Sequence, residues 1–412
     1  MFALVDCNNF FVSCERLFRP DLHNKPVAVL SNNDGCIIAR SNEVKQLGIA
    51  MGAPYFKVKD LIEQYQIQLF SSNFMLYGNI SKRIMDHLQY FTDDLEIYSI
   101  DEAFLKIADK KNLNLLAKQI ATTTKQNIGV PVSVGIADSK TLAKIAAYHA
   151  KQQKLSHFVI NQANYAAILQ NTPIEEIWGI GYNLAHKLRF MGIGNAFALA
   201  NYNQKILRQK FNVVLEKTCL ELQGKAVLNL ERNHHKKNIM SSRSFGRKIT
   251  ELNELYEAIS CYSSIACRKL RKQHSKAQAI CVILRIAKHA GYIKEYKASA
   301  MHVFATAVAD ENLITAQAKK LIKTLYVPGK AYCKAGILLF DLVQADHVQT
   351  SLFNTATEKP ELFSAVDQLN NKYGKNTLFL ASCGTKRNWQ MRSELKSPNY
   401  VTNWQDLPKV FA

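Results

Sequence analysis

Short apolar runs of strand length recur along this 412-residue chain and alternate with stretches of helical period, a mixture that restricts it to an α+β architecture. Residues 2–5 (Phe-Ala-Leu-Val) form one run, cut off by Asp6. Residues 27–30 (Val-Ala-Val-Leu) and 36–39 (Cys-Ile-Ile-Ala) form two more. Asn32-Asn33-Asp34-Gly35 between them supplies residues that tolerate a left-handed turn, which predicts a β-hairpin. A helix is expected from about 77 to 91. Residues 95–107 read as strand, tight turn, strand, with Asp101 and Glu102 near the turn. A strand at 130–136 and a helix at 140–153 follow. From 172 to about 230 the period is helical with Gly-x-Gly interruptions, and from 241 to 353 strands and helices alternate again. A chain of this length exceeds one hydrophobic core, so several domains are expected.

The charge balance points to the class of partner. The formal net charge is +20, and residues 241–353 alone hold 17 Lys and Arg against 8 Asp and Glu. Such a surface suits a polyanion, whose counterions it releases on binding. The basic stretch around His234 and His235 lacks apolar period and reads as a linker. No apolar run is long enough to span a membrane, and the N-terminus has no basic segment before its apolar one, so neither an anchor nor a signal peptide is expected. The nine cysteines are odd in number and form no Cys-x-x-Cys pair, which fits reduced thiols in a cytoplasm and argues against structural zinc.

Asp6, Asp101 and Glu102 all fall at strand ends. Hard cations take oxygen ligands from one or two carboxylates, substrate phosphates and water, and a pair of such ions serves phosphoryl transfer. Carboxylates at strand ends are also common as solvated turn residues, and spacing alone leaves both readings open.

The sequences around them settle the weighting. Phe2-Ala3-Leu4-Val5-Asp6 and Tyr98-Ser99-Ile100-Asp101-Glu102-Ala103-Phe104-Leu105 resemble the two metal-binding motifs of Y-family DNA polymerases. Val132-Ser133-Val134-Gly135-Ile136 and Ala143-Lys144-Ile145-Ala146 resemble the palm strand and helix that follow. The resemblance runs in order over roughly residues 1–353. It implies a right-hand polymerase with palm (1–10 and 75–165), small fingers (11–74), helical thumb (166–231), linker (232–241), α/β little finger (242–353) and a C-terminal extension (354–412). It also implies that Asp6, Asp101, Glu102 and the Cys7 carbonyl hold two Mg²⁺ ions. The run from Leu30 to Glu43 and the extension resemble the UmuC branch of the family in particular.

The same resemblance distributes the nucleotide contacts. Asn42 and Lys45 stand where single-chain relatives place a Tyr and an Arg on the triphosphate; Lys45 keeps the charge without the bidentate fork. Lys151 matches a second triphosphate lysine, and Ile38 and Ala39 match positions over the nascent base pair. For Lys45 and Lys151 the bare sequence also allows a solvated helix face. The ring under the sugar, which would exclude a 2′-hydroxyl, falls at Phe11 beside Phe10. If that pair lies on a strand, one ring faces the core and the other does not.

The DNA-holding parts follow. Ile177-Trp178-Gly179-Ile180-Gly181 and the helical stretch after it resemble a helix-hairpin-helix, in which Gly179 and Gly181 permit a tight turn that grips phosphate. Ser242–Arg247 resembles the opening strand of the little finger, with Arg243, Arg247 and Lys248 as phosphate contacts. Residues 268–272 read equally as a DNA face or a solvated one. Gln349-Thr350-Ser351-Leu352-Phe353 resembles a peptide for the sliding β-clamp, with Gln349 bonding and Leu352 and Phe353 filling a cleft. The expected substrates are primer-template DNA and deoxyribonucleoside triphosphates. The UmuC resemblance adds a processed UmuD dimer and RecA as partners, the SOS response as setting, and a bacterial cytoplasmic, nucleoid-associated location. Trp389, Tyr400, Trp404 and Leu407 either pack back on the little finger or form a partner surface. A stand-alone DinB-like polymerase, a non-catalytic DNA-binding scaffold and a metal-dependent nuclease are the competing readings. A P-loop is excluded, since residues 135–141 lack the glycine before Lys140.

Overall fold

The computed structural model describes residues 1–109, 111–231, 235–286, 297–348, 358–401 and 403–408. The chain divides into two compact units: Met1–Ser31, Gly35–Asn233 and Leu395–Ala412 form the first, and Asn32–Asp34 with His234–Glu394 the second.

The first unit begins with β1 (Phe2–Cys7) and α1 (Phe10–Arg16), followed by β2 (Val27–Leu30), β3 (Ile37–Arg40), α2 (Asn42–Gln46), α3 (Tyr55–Gln64) and β4 (Gln68–Ser71). β2 pairs with β3 antiparallel and with β4 parallel, a small sheet with its own core of Ala28, Leu30, Ile37, Val44 and Ile62. The hairpin expected at 31–35 forms, and Asn33 and Asp34 take positive φ there. Next come α4 (Phe74–Leu88), β5 (Leu95–Ile97), β6 (Glu102–Lys106), α5 (Leu113–Ile128), β7 (Val132–Ala137), α6 (Lys140–Gln152) and β8 (His157–Val159). Five strands make the central sheet in the order β5-β6-β1-β7-β8. β1 is antiparallel to both neighbours and buried along most of its length, which explains why its sequence reads as a continuous apolar run.

Gly135 sets how closely α6 lies on that sheet. A Cβ at this position would sit 2.2 Å from the Ala147 nitrogen and 2.3 Å from the Ala143 oxygen, so only glycine admits the helix. After α7 (Tyr165–Gln170), the helical stretch expected from 172 resolves into α8 (Tyr182–Phe190), α9 (Ala196–Ala200), α10 (Gln204–Lys210) and α11 (Val213–Leu222). Its tail is fastened by a buried ion pair. Lys140 Nζ lies 2.7 Å from Glu96 Oε2, and the same carboxylate oxygen accepts from the Glu231 nitrogen. Lys140 is therefore a structural cation of the first unit and not a phosphate-loop lysine.

The second unit contains β9 (Ile239–Ile249), α12 (Leu252–Lys272), β10 (Ser275–Ile286), β11 (Lys297–Val308), α13 (Glu311–Leu325), β12 (Tyr332–Gln344) and α14 (Pro360–Tyr373). Its antiparallel sheet has the order β11-β10-β12-β9. Leu255, Ile259, Cys267 and Leu270 of α12 and Ile314 and Ala318 of α13 share one core with Ile280, Val282 and Ile337 of the sheet.

The stretch expected as one C-terminal extension is divided. Helix α14 and Trp389 belong to the second unit, where Arg271 pairs with Asp367 and Trp389 Nε1 donates to Glu257. Arg271, read from sequence as a DNA contact or a solvated residue, is neither; it pins α14. Residues from Leu395 onward belong to the first unit, where Tyr400 stacks on Phe18 with ring centroids 4.5 Å apart. The expected clamp peptide, Gln349 to Phe353, lies outside the described residues, as does part of the linker.

Candidate active site

β1 brings the first carboxylate to the sheet's end, and β6 starts at the second. Asp6 and Glu102 are register partners across the ladder. Asp101 immediately precedes Glu102, and its backbone oxygen accepts from the Cys7 nitrogen at 2.9 Å. The turn is tied by Ser99, whose hydroxyl donates to Asp101 Oδ1 at 2.6 Å and accepts from the Glu102 nitrogen at 3.0 Å. A Ser two residues before the carboxylate is what closes this turn locally.

Helix α6 faces these groups with lysines. Positions 140, 144 and 151 recur at near-integral helical turns and so share one face. Lys144 Nζ sits 2.7 Å from Glu102 Oε2 and also over the Tyr98 ring, and Lys151 Nζ sits 2.5 Å from Asp6 Oδ1. Burial pushes the Asp6 carboxyl up to about 6; Lys151 opposes this and the Glu102 charge adds to it. Two carboxylates that repel each other, together with Asp101, are a donor set of hard oxygens that fits a divalent cation. Among the described residues no three His, Cys, Asp or Glu side chains close on a single point. Lys144 and Lys151 each hold one of these carboxylates. Lys144 was not singled out from sequence; its signal is the four-residue spacing from Lys140 on an amphipathic helix.

A cavity of about 1110 Å³ opens beside Asn8 and Asn9 and is lined by Lys45, Lys125, Lys151 and Lys154, with no carboxylate in its wall. Asn9 organises one side. Its Nδ2 donates to Asn42 Oδ1 at 3.0 Å, and its Oδ1 accepts from Lys45 Nζ at 2.6 Å. Burial depresses the Lys45 ammonium, and the Arg40 and Lys151 charges depress it further. A crowd of cations held apart at this cost is suited to a polyanionic ligand. Asn42 reaches Lys45 only through Asn9, and Lys45 and Lys151 both line the cavity.

Phe10 and Phe11 lie on α1 rather than on a strand. Asn9 turns the chain through a left-handed conformation, so the helix starts at Phe10. Phe10 is buried in the core, whereas Phe11 is half-buried and stacks on Tyr77. Ile38 is half-buried and Ala39 buried, on β3.

The candidate DNA contacts fall in several places. Gly179 has φ +85° and Gly181 precedes α8, with both exposed and Ile177 and Ile180 buried beneath them. This is the backbone a phosphate-gripping hairpin needs. In the second unit Arg243, Arg247 and Lys248 are exposed on β9 but not gathered. Arg243 lines a cavity of about 450 Å³ with Tyr262, Arg268 and Trp389, and Arg247 pairs with Glu254.

Solved structures share this fold. A chimeric Y-family DNA polymerase aligns with a TM-score of 0.69 at 22% identity, over 83% of this chain and 99% of its own. An insertion ternary complex of Dbh DNA polymerase aligns at 0.58 and 22%, with the same coverage. The fold is that of a Y-family DNA polymerase. The impB/mucB/samB family matches residues 5–148, its C-terminal domain residues 236–352, and a domain of unknown function residues 360–410. Protein UmuC of Salmonella typhimurium (strain LT2) is 39% identical over the whole of both chains, and protein ImpB of Salmonella typhimurium 37% over 99% of each. DNA polymerase IV of Pelotomaculum thermopropionicum is 27% identical over 92% of this chain and 94% of its own. The chain belongs to the impB/mucB/samB family of Y-family DNA polymerases. It is a DNA-directed, translesion DNA polymerase that depends on a divalent metal and acts on DNA and nucleotides. No helix among the described residues is long and apolar enough to cross a membrane.

Proposed function

We propose that this chain is the catalytic subunit of an SOS mutagenesis polymerase that adds deoxyribonucleotides to a primer opposite damaged template bases. The register pairing of Asp6 with Glu102 beside Asp101 supports the reading most directly. In it, residues 1–10 and 75–165 are palm, 11–74 fingers, 166–231 thumb and 242–353 little finger. Asp6, Asp101, Glu102 and the Cys7 carbonyl hold two Mg²⁺ ions. Ions held there would supply Lewis-acid activation of the primer 3′-oxygen and charge stabilisation of the leaving pyrophosphate. Lys45 and Lys151, which line one cavity, bind the triphosphate there, and Lys144 orients Glu102. Ile38 and Ala39 cover the new base pair, and Phe11 lies under the sugar and excludes a 2′-hydroxyl. Gly179 and Gly181 of the hairpin, with Arg243 and Lys248, hold the duplex by its phosphates.

The partners in this reading are a processed UmuD dimer, RecA and, through Gln349, Leu352 and Phe353, the sliding β-clamp, in the bacterial cytoplasm at the nucleoid. Similarity to UmuC over the full length supports it, as do Trp404 and Leu407, which are 87% and 42% exposed. The test is primer extension opposite an abasic site, with and without a UmuD-type dimer and RecA–ATP. Bypass that needs these proteins is expected; efficient bypass by the isolated chain would replace this reading with a stand-alone one. A Leu352→Ala/Phe353→Ala variant should lose clamp affinity and keep basal extension on short primers.

A further inference from the structure

Phe11 and Glu15 lie four residues apart on α1 and so share a face of that helix. Tyr77 of α4 spans both. Its ring stacks on Phe11 with centroids 4.5 Å apart and planes 14° apart, and its hydroxyl donates to Glu15 Oε1 at 2.6 Å. Tyr77 and Glu15 have no exposed surface. The same Glu15 oxygen accepts from the Ser397 hydroxyl at 3.2 Å, so residues 382 positions apart meet on one atom.

Ser397 arrives there on a strap. Leu395 exchanges backbone and side-chain hydrogen bonds with Ser71, and Ser71 forms a parallel bridge with Lys396. Asn73, which caps the first turn of α4 through its Oδ1, donates its Nδ2 to the Ser397 hydroxyl at 3.0 Å and to the Ser397 and Pro398 carbonyls. Tyr400 closes the strap by stacking on Phe18. All of these residues belong to the first compact unit.

A carboxyl group buried among aromatic rings is costly unless its bonds are made. Here one oxygen has two hydroxyl donors and the other has no hydrogen-bond partner. Burial raises the Glu15 carboxyl, while the Tyr77 and Ser397 hydroxyls lower it. Nothing in the phosphoryl-transfer chemistry uses Glu15. Its bonds instead fix where the Tyr77 ring lies, and that ring is the surface against which Phe11 rests.

We propose that Glu15 is a positioning residue for sugar selection, which holds Tyr77 flat against Phe11, and that the C-terminal strap at Ser397 completes the arrangement. The proposal rests on the reading of Phe11 as the ring beneath the sugar. A ring with a fixed backing excludes a 2′-hydroxyl, whereas a ring free to tilt yields to it. The terminal segment thereby sets nucleotide specificity through Phe11, near the opposite end of the chain.

The experiment uses the full-length polymerase complex and primer extension with ribo- and deoxyribonucleoside triphosphates, reading kcat and KM separately. Phe11→Ala reports on the ring itself, Tyr77→Phe and Ser397→Ala each remove one donor to Glu15, and Glu15→Gln retains the accepting oxygen. Tyr77→Phe and Ser397→Ala should each raise the ribo-to-deoxy ratio of kcat/KM by roughly tenfold, carried by a lower KM for the ribonucleotide. Glu15→Gln should keep the parent ratio. If Phe11→Ala shifts the ratio and the two donor variants do not, the ring reading stands and the positioning role is overturned. Equal loss with both nucleotides in the donor variants, with a lowered Tm, makes the network structural only and also overturns it. If Phe11→Ala leaves the ratio unchanged, the ring reading falls and the proposal with it.

Discussion

Asp6 and Glu102 are paired across β1 and β6, and each is held by a different lysine of α6, Lys151 at 2.5 Å and Lys144 at 2.7 Å. The central sheet thus presents Asp6 and Glu102 each paired with an ammonium group. Asp101, bonded by Ser99, completes the acidic edge. Replacing Asp101 by Asn removes the charge of a proposed metal ligand but keeps an acceptor for the Ser99 hydroxyl. The rate of nucleotide addition in single-turnover primer extension should fall by roughly a thousandfold, the equivalent of several kcal/mol of charge stabilisation. DNA affinity measured by anisotropy should stay near that of the parent, and near-normal extension would sink the ligand assignment.

Gly135 holds α6 against β7 with no room for a methyl group. Gly135→Ala should push the helix outward and carry Lys144 and Lys151 off their carboxylates. A destabilisation of about 1–3 kcal/mol is expected from overpacking. Thermal unfolding and primer extension should both report it, and a parent-like Tm would show that the helix yields without cost.

Glu96 and Lys140 form an ion pair with side chains 6% and 3% exposed. Lys140→Met leaves a buried carboxylate without its cation and should cost about 3–5 kcal/mol. The double variant Glu96→Leu/Lys140→Met should recover most of that loss in urea unfolding. Failure of the double variant to recover would mean that the Glu96 bond to the Glu231 nitrogen, not the charge pair, holds this segment.

The two hairpin glycines differ in backbone. Gly179 has φ +85°, and Gly181 has φ −85°, where any residue fits. Gly179→Ala should strain the hairpin by about 1–2 kcal/mol and weaken primer-template binding. Gly181→Ala, with no atom within 4 Å of its new Cβ, should bind as the parent does. Equal behaviour of the two variants in anisotropy titrations would contradict a role for this turn in holding phosphate.

On β9 the pairing of Arg247 with Glu254 separates two otherwise similar cations. Lys248→Ala should lower the slope of log affinity against log salt by about one, the signature of one lost phosphate contact. Arg247→Ala should change the slope much less, because Glu254 already offsets its charge. A salt titration that reversed this order would move the phosphate contact to Arg247.

The elements that place the carboxylates were legible because their signals are local. The run ending at Asp6, the turn before Glu102 and the period of residues 140–152 each specify their own conformation within a few residues. The side on which Phe10 and Phe11 lie was not legible, because it depended on a single left-handed residue, Asn9, that starts a helix where alternation suggested a strand. Nor could sequence pick out Lys144, whose meaning is its distance to Glu102, 42 residues away.

The C-terminal stretch shows the division most clearly. Sequence offered Trp389, Tyr400 and Trp404 as one group, either packed back on the little finger or forming a partner surface. The fold gives them three: Trp389 is buried in the second unit, Tyr400 stacks on Phe18 in the first, and Trp404 is exposed. Sequence by itself determined the elements that became β1, β6 and α6, since those depend on near neighbours. Only the tertiary structure decided that Ser397 reaches Glu15, because hydrogen-bond partners 382 residues apart are selected by how the whole first unit packs and leave no periodic trace in the chain.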